Sequence, residues 1–315
     1  MLAYAVRRLI ATIPVLFIVA VLIFMLLHLG PNDPAAVIAG DFAQPEHIER
    51  IRQQLGLDQP LYAQFFDWIW RVLQGDLGAS IYNQQPVLNL VLQRAEPTIA
   101  LTLSTISFAV IVGIPMGVLA AWKAGSIVDR VVMVLAVTGF SLPVFVLGYI
   151  LVYVFALNLQ LLPVQGYVSY KDGLVPFFRS LVLPTLSLGM IYVALIARMT
   201  RASVIEVLNQ DYIRTARAKG LSTPPILLIH ALKNAAIPIV TTIGLGIALL
   251  ISGVVVTETV FAIPGVGRLT VDAIVRKDYP VIQGVLLIFT VVYVLLNLLV
   301  DLSYSLFDPR IRYQG

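Results

Sequence analysis

The chain has 315 residues, of which 59% are apolar and only 12% charged, with a mean hydropathy of +0.92. A soluble domain carries about a quarter charged residues, so a soluble globular fold is excluded and lipid is the main solvent. The formal charge of +4 and pI of 9.3 point to no nucleic-acid partner, because the basic residues lie in short segments between apolar runs, where they report topology. Cysteine is absent, which rules out disulfides and thiolate-ligated zinc or iron–sulfur sites.

A helix needs about 20 mostly apolar residues to cross a hydrocarbon core roughly 30 Å thick, with every backbone group bonded internally. Six segments meet this requirement: Leu9 to Leu29, Ile99 to Trp122, Val131 to Leu157, Ser180 to Ala197, Ala235 to Thr257 and Tyr279 to Val300. None contains Asp, Glu, Lys or Arg. The expected fold is therefore an all-α integral membrane protein with six transmembrane helices. Residues 1–30 form an N-terminal anchor, 31–98 an extracytoplasmic helical cap, and 99–315 a core of five helices with a cytoplasmic loop at about 201–236. Arg7 and Arg8 precede the first span as in a signal peptide, but its apolar run is too long for one and no small-x-small cleavage site follows, so it reads as a retained anchor.

With the N-terminus in the cytoplasm, twelve of the 21 Lys and Arg residues fall inside: Arg7, Arg8, Lys123, Arg130, Arg198, Arg201, Arg214, Arg217, Lys219, Lys233, Arg310 and Arg312. The two short outer loops hold Lys171, Arg179, Arg268, Arg276 and Lys277. The long outer loop lies beyond the reach of the positive-inside rule, so both termini are expected in the cytoplasm of a multi-pass inner-membrane protein.

Gly30-Pro-Asn-Asp-Pro34 ends the first helix, because each proline removes a donor and pushes the preceding residue out of the helical region. Glu46 to Leu55 then carries Ile48, Ile51 and Leu55 at helical spacing, and Leu61 to Leu73 carries Phe65, Phe66, Trp68, Ile69 and Trp70. Such an aromatic cluster suits packing at headgroup level, or a platform for a soluble partner.

Between spans four and five, Asp211 to Gly220 reads as a short helix with an acidic start, basic residues toward its end and a glycine at C′. A second helix follows, with Ser222 or Thr223 as N-cap, Pro224 in its first turn and an apolar stripe running to Ala236. Two readings of this hairpin stand side by side. It is an interfacial element held on acidic lipid by Arg201, Arg214, Arg217, Lys219 and Lys233, or it docks a partner.

The stretch Asp211 to Pro238, DYIRTARAKGLSTPPILLIHALKNAAIP, resembles the cytoplasmic EAA loop of ABC importer permeases, in the form found in dipeptide, oligopeptide, glutathione and nickel permeases. Thr215-Ala216-Arg217 and Gly220 match the Glu-Ala-Ala and glycine of the general pattern, while Lys233 follows Leu232 where proline is usual, as in the peptide branch. The likeness extends over the whole chain: the opening MLAYAVRRL, Gln54-Leu55-Gly56-Leu57-Asp58, Gly75-Asp76-Leu77-Gly78, Glu258-Thr259-Val260-Phe261, Pro264 to Leu269, Asp278 to Gln283 and Asp308-Pro309-Arg310. The resemblance is to the first permease of the pair. It implies a non-catalytic subunit that forms half of the pathway for di- or oligopeptides, with glutathione among the candidates. It also implies that Asp211, Tyr212, Arg214, Thr215, Ala216, Arg217, Ala218, Lys219 and Gly220 contact an ATPase. The implied partners are a second homologous permease, two ATP-binding subunits and an extracytoplasmic peptide-binding protein in a lipid membrane, with no cofactor.

Other residues add limits. Pro264-Gly265-Val266-Gly267 lacks the Lys-Ser/Thr of a P-loop and reads as a structural turn, and no G-x-x-x-x-G-K-[ST] occurs, so ATP hydrolysis must belong to another polypeptide. Glu258 and Asp301, at the ends of spans five and six, read as solvated helix ends. His28 and His47 fall on the opposite side of the membrane from His230, so one chain forms no nickel site. Pro14, Pro115, Pro143 and Pro184 are expected to kink their spans. A secondary transporter would call for internal repeats, discontinuous helices and intramembrane charge, and a scaffold would use the outer cap without transport.

Overall fold

The computed structural model describes residues 2–29, 34–39, 44–54 and 56–307. Gly30 to Asp33, Leu55 and the terminal Asp308-Pro309-Arg310 lie outside the described residues, as do the side chains of Arg7, Arg8, His28 and Asp301. Among the described residues there is no strand, only an isolated bridge between Ala79 and Pro86.

The helices are α1 (Leu2–Leu29), α2 (Pro34–Ala39), α3 (Pro45–Gln54), α4 (Leu61–Leu73), α5 (Val87–Trp122), α6 (Ile127–Ser141), α7 (Val144–Asn158), α8 (Leu174–Leu208), α9 (Asp211–Ala218), α10 (Thr223–Asn234), α11 (Ala236–Val260), α12 (Val266–Arg276) and α13 (Tyr279–Phe307). Among the described residues three helices are long and apolar enough to cross a membrane: α5, α8 and the Tyr279–Val300 part of α13. Two bent pairs, α6 with α7 and α10 with α11, raise this to five when each is taken as one span. Within α1, Ile10–Leu26 is a shorter apolar stretch.

The expected third span is therefore two helices meeting at 103°. Its break has a local cause: Leu142 is extended at ψ 127° because Pro143 follows it, and Pro143 opens α7. Pro14, Pro115 and Pro184 instead lie within continuous helices. The short helix α12 was not anticipated.

The chain divides into two compact units. One comprises Glu96–Gly267 and the segment from Leu296 onward. Its centre is α8, whose apolar stretch is 67% buried against 22% for that of α5. Leu181, Leu188, Tyr192, Val193 and Ile196 of α8 pack with Leu101, Leu250, Val254, Phe261 and Ile263. Helix α5 comes close to α8 at Gly117, where a Cβ would lie 2.6 Å from the Ala197 carbonyl and from Thr200.

The other unit comprises Leu2–Ala95 and Arg268–Leu295. The amphipathic α4 buries Phe65, whose ring meets Phe17 and Phe24 edge-on at 5.8 and 5.4 Å, while Phe66 and Trp70 stay exposed. Buried Asp278 accepts from the Ser80 hydroxyl at 2.5 Å and the Ile81 N–H at 3.1 Å, fastening the segment after α4 to the start of α13.

Candidate functional site

Two turns carry the residues of interest, one between α9 and α10 and the other after α11. Helix α9 starts two residues after α8, with Gln210 extended at its N-cap and Asp211 in the first turn, where a carboxylate suits the helix dipole. Asp211 lies 3.4 Å from Arg214, and the Thr215 hydroxyl donates to the Asp211 carbonyl at 3.1 Å. The helix ends in a complete Schellman turn: the Gly220 N–H donates to Arg217 O at 2.9 Å and the Leu221 N–H to Ala216 O at 3.2 Å. Gly220 has φ +83°, a left-handed value that explains the residue.

This hairpin has one inward side. Ile213 is fully buried, and Ile226, Leu227 and Ala231 of α10 are buried as well. Leu227 and Ala231 join Ala121 of α5, Val204 of α8 and Ile239 of α11 in one apolar cluster. The site residues expected from the sequence point the other way. Asp211, Tyr212, Arg214, Thr215, Arg217, Ala218, Lys219 and Gly220 are exposed, and Ala216 is half-buried. Among the described residues no ion pair engages Arg217 or Lys219. Arg201, which the sequence grouped with the lipid-facing basic residues, is instead paired with Asp129 of α6, a residue sequence reasoning passed over. The available signal was Ser126 three residues before Asp129: Ser126 caps α6 by accepting from the Asp129 N–H at 3.4 Å.

The turn after α11 is built differently. Glu258, expected to be a solvated helix end, is fully buried. The Thr98 hydroxyl donates to its Oε1 at 2.6 Å and accepts the Val266 N–H at 2.8 Å, so one hydroxyl ties the carboxylate to the turn after α11. Pro264-Gly265-Val266-Gly267 wraps the carboxylate closely: a Cβ at Gly265 would fall 2.1 Å from Oε1, and one at Gly267 2.9 Å from Oε2. The turn is structural, as expected, but its glycines make room for a buried acid.

Nearby, Glu96 accepts hydrogen bonds from the Tyr167 hydroxyl at 2.9 Å and the Ser169 hydroxyl at 2.7 Å, pinning the segment between α7 and α8. Burial first, then the hydrogen bond and charge of Glu96, push the Tyr167 phenol well above its usual range, so it remains a donor.

A broken helix pair and a buried carboxylate are also features that an ion-coupled transporter would show. Relatives decide between the readings. Residues 113–313 match the family described as binding-protein-dependent transport system inner membrane component. Residues 1–105 match the N-terminal membrane component of binding-protein-dependent transport systems. The chain is 54% identical over 310 residues to a probable peptide ABC transporter permease protein, y4tP, of Sinorhizobium fredii (strain NBRC 101917 / NGR234), covering 98% of this chain and 99% of the relative. It is 46% identical over 314 residues to the glutathione transport system permease protein GsiC of Escherichia coli (strain K12), covering all of both. In fold it is similar to a chain of the MetNI methionine ABC transporter in an inward-facing conformation, with a TM-score of 0.58 at 18% identity over 70% of this chain and 97% of that one. The chain belongs to the binding-protein-dependent transport system inner membrane component family and is a multi-pass membrane permease subunit of an ABC importer.

Proposed function

We propose that this permease forms half of the translocation pathway for di- or oligopeptides, with glutathione within its range. Its complex would be completed by a second homologous permease, two ATP-binding subunits that hydrolyse ATP and an extracytoplasmic peptide-binding protein. The permeases named for peptide and glutathione transport, matching nearly end to end, support the substrate class. In this reading the chain crosses the membrane six times with both termini in the cytoplasm, and residues 31–98 form the outer cap.

The hairpin of α9 and α10 is read as the docking element for the ATPase. The observation that carries this is its two-sidedness: α10 and Ile213 are anchored in the core while the polar side chains of α9 face outward. An ATPase that closes and opens on nucleotide would displace the hairpin, and the bundle would expose its pathway to alternate sides. Such coupling requires contacts that differ between the two states.

The test is affinity purification from detergent-solubilised membranes. The native chain is expected to bring down P-loop ATPases and a second permease, and a variant with Arg217→Glu and Lys219→Glu to lose the ATPases alone. Gly220→Pro is expected to abolish substrate-stimulated ATP hydrolysis while membrane insertion persists. Co-purification of the ATPases with the charge-reversed chain, or unchanged stimulation in Gly220→Pro, would remove the docking role from this hairpin.

A further inference from the structure

The start of α6 and the inner part of α8 are 72 residues apart in sequence but are joined by a forked ion pair. Arg201 donates from Nε to Asp129 Oδ1 at 2.5 Å and from Nη2 to Oδ2 at 2.7 Å. The Gly125 N–H also donates to Oδ2, at 2.9 Å, so the carboxylate is gripped by the turn before α6 as well as by α8. A two-point fork fixes rotation as well as distance, which a lysine in place of Arg201 could not do. Asp129 is buried and the Arg201 side chain is 30% exposed. With the carboxylate buried and the guanidinium half-buried, desolvation offsets part of the attraction, so stability alone is a weak account of the pair.

The position of the fork is more telling. Arg201 stands about two turns before α8 ends at Leu208, and α9 begins two residues after that. Val204, on the same inner stretch of α8, lies in the apolar cluster that holds α10. The hairpin is thus fastened to α8 by apolar packing, and α8 to α6 by packing along both helices, as at Gly139 and Met190, and by the fork, which fixes their register. Beyond the 103° break α6 continues as α7, where a Cβ at Gly148 would lie 3.2 Å from the Phe261 ring, at the turn that wraps Glu258. Side-chain contacts thus link the hairpin to α8 and α8 to α6, and the chain itself carries the connection across the break to α7 and its contact with Phe261.

We infer that Asp129 and Arg201 are positioning residues of the transport cycle, passing a displacement of the hairpin from α8 to α6 and α7. With the fork intact, movement of α9 carries α6 with it. Without the fork, α6 still packs along α8 and α11 still runs from the hairpin to the Gly265 turn, but α6 and α7 lose their fixed register on α8 and follow the hairpin incompletely. The inference rests on the importer function proposed above.

The experiment uses the complete importer, reconstituted in vesicles with its ATPases, its second permease and its binding protein, and measures peptide accumulated per ATP hydrolysed. Asp129→Asn removes the charge at constant shape. Arg201→Lys keeps the charge but loses the fork, and guards against a variant that does not assemble. Each is expected to lower the ratio about tenfold while peptide-stimulated hydrolysis persists, and the double variant to be no worse than either single one. An unchanged ratio overturns the inference. So does a parallel fall of hydrolysis and transport, which would mean that the pair only holds the fold. The wild-type arm reports on the function itself: absence of peptide-stimulated hydrolysis there overturns the peptide-importer reading and this inference with it.

Discussion

The turn at Gly220, between α9 and α10, and the turn at Gly265, after α11, both depend on glycine, for opposite reasons. Around Gly220 a Cβ would meet nothing within 4 Å, so the residue is there for its φ of +83° alone. Around Gly265 there is no space at all, because the Glu258 carboxylate already fills it. The Gly265 turn is specified by what is packed inside it, while the Gly220 turn is specified by its own backbone and leaves its surroundings open. A segment of the second kind can accept a partner without disturbing its own structure.

The sharpest way to break this comparison is Gly265→Ala. The added methyl would sit 2.1 Å from a buried carboxylate oxygen that Thr98 holds in place. Relief requires moving the acid or the turn, so a loss of about 4 kcal/mol or more is expected, read as a large fall in melting temperature in detergent or as failure to accumulate. If Gly265→Ala melts like the native chain, the cradle is not as tight as described.

Thr98→Val keeps the shape but removes both the donor to Glu258 and the acceptor for Val266. Leaving buried polar groups short of a partner costs roughly 2 kcal/mol. The expected result is a clear drop in melting temperature, smaller than that of Gly265→Ala. A neutral Thr98→Val would mean that the glycines alone hold the turn.

What the sequence disclosed, and what it concealed, follows the same division. The bounds of α3, α4 and α9 and the Schellman glycine were legible because hydrophobic period, turn residues and end charges act within a few positions. The candidate site residues on α9 came from the resemblance and not from this local pattern, which fits a lipid-facing hairpin equally well; the structure places eight of the nine at the surface. Glu258 was misread because its partner Thr98 is 160 residues away, and the Asp129–Arg201 pair was missed because its members are 72 apart. Helix α12 had a signal that went unused, with buried Val266, Leu269 and Ala273 at helical spacing. Pro143 was visible, but Pro115 and Pro184 lie in unbroken helices, so a proline by itself does not say where a span divides.

At the Gly220 turn the expected effects are smaller. Gly220→Ala meets no neighbour and costs only the left-handed backbone, about 1 kcal/mol. The melting temperature should fall slightly and the protein should still accumulate. A loss as large as that of Gly265→Ala would show that the turn is packed against something after all, and the contrast between the two turns would fail.

The smallest effect on stability is expected from Arg214→Ala, and it separates structure from function most cleanly. Arg214 and Asp211 lie 3.4 Å apart with side chains 76% and 94% exposed, so water screens the pair and its loss should change stability by less than about 0.5 kcal/mol. Under the docking proposal the same guanidinium faces the ATPase, where part of its water would be displaced and a charge contact gains strength. Arg214→Ala should therefore melt with the native chain yet bring down less ATPase, and the deficit should narrow at high salt, where the native contact is screened as well. A variant that melts normally and retains its full complement of ATPase at low salt would show that this side of α9 faces water or lipid headgroups rather than the motor.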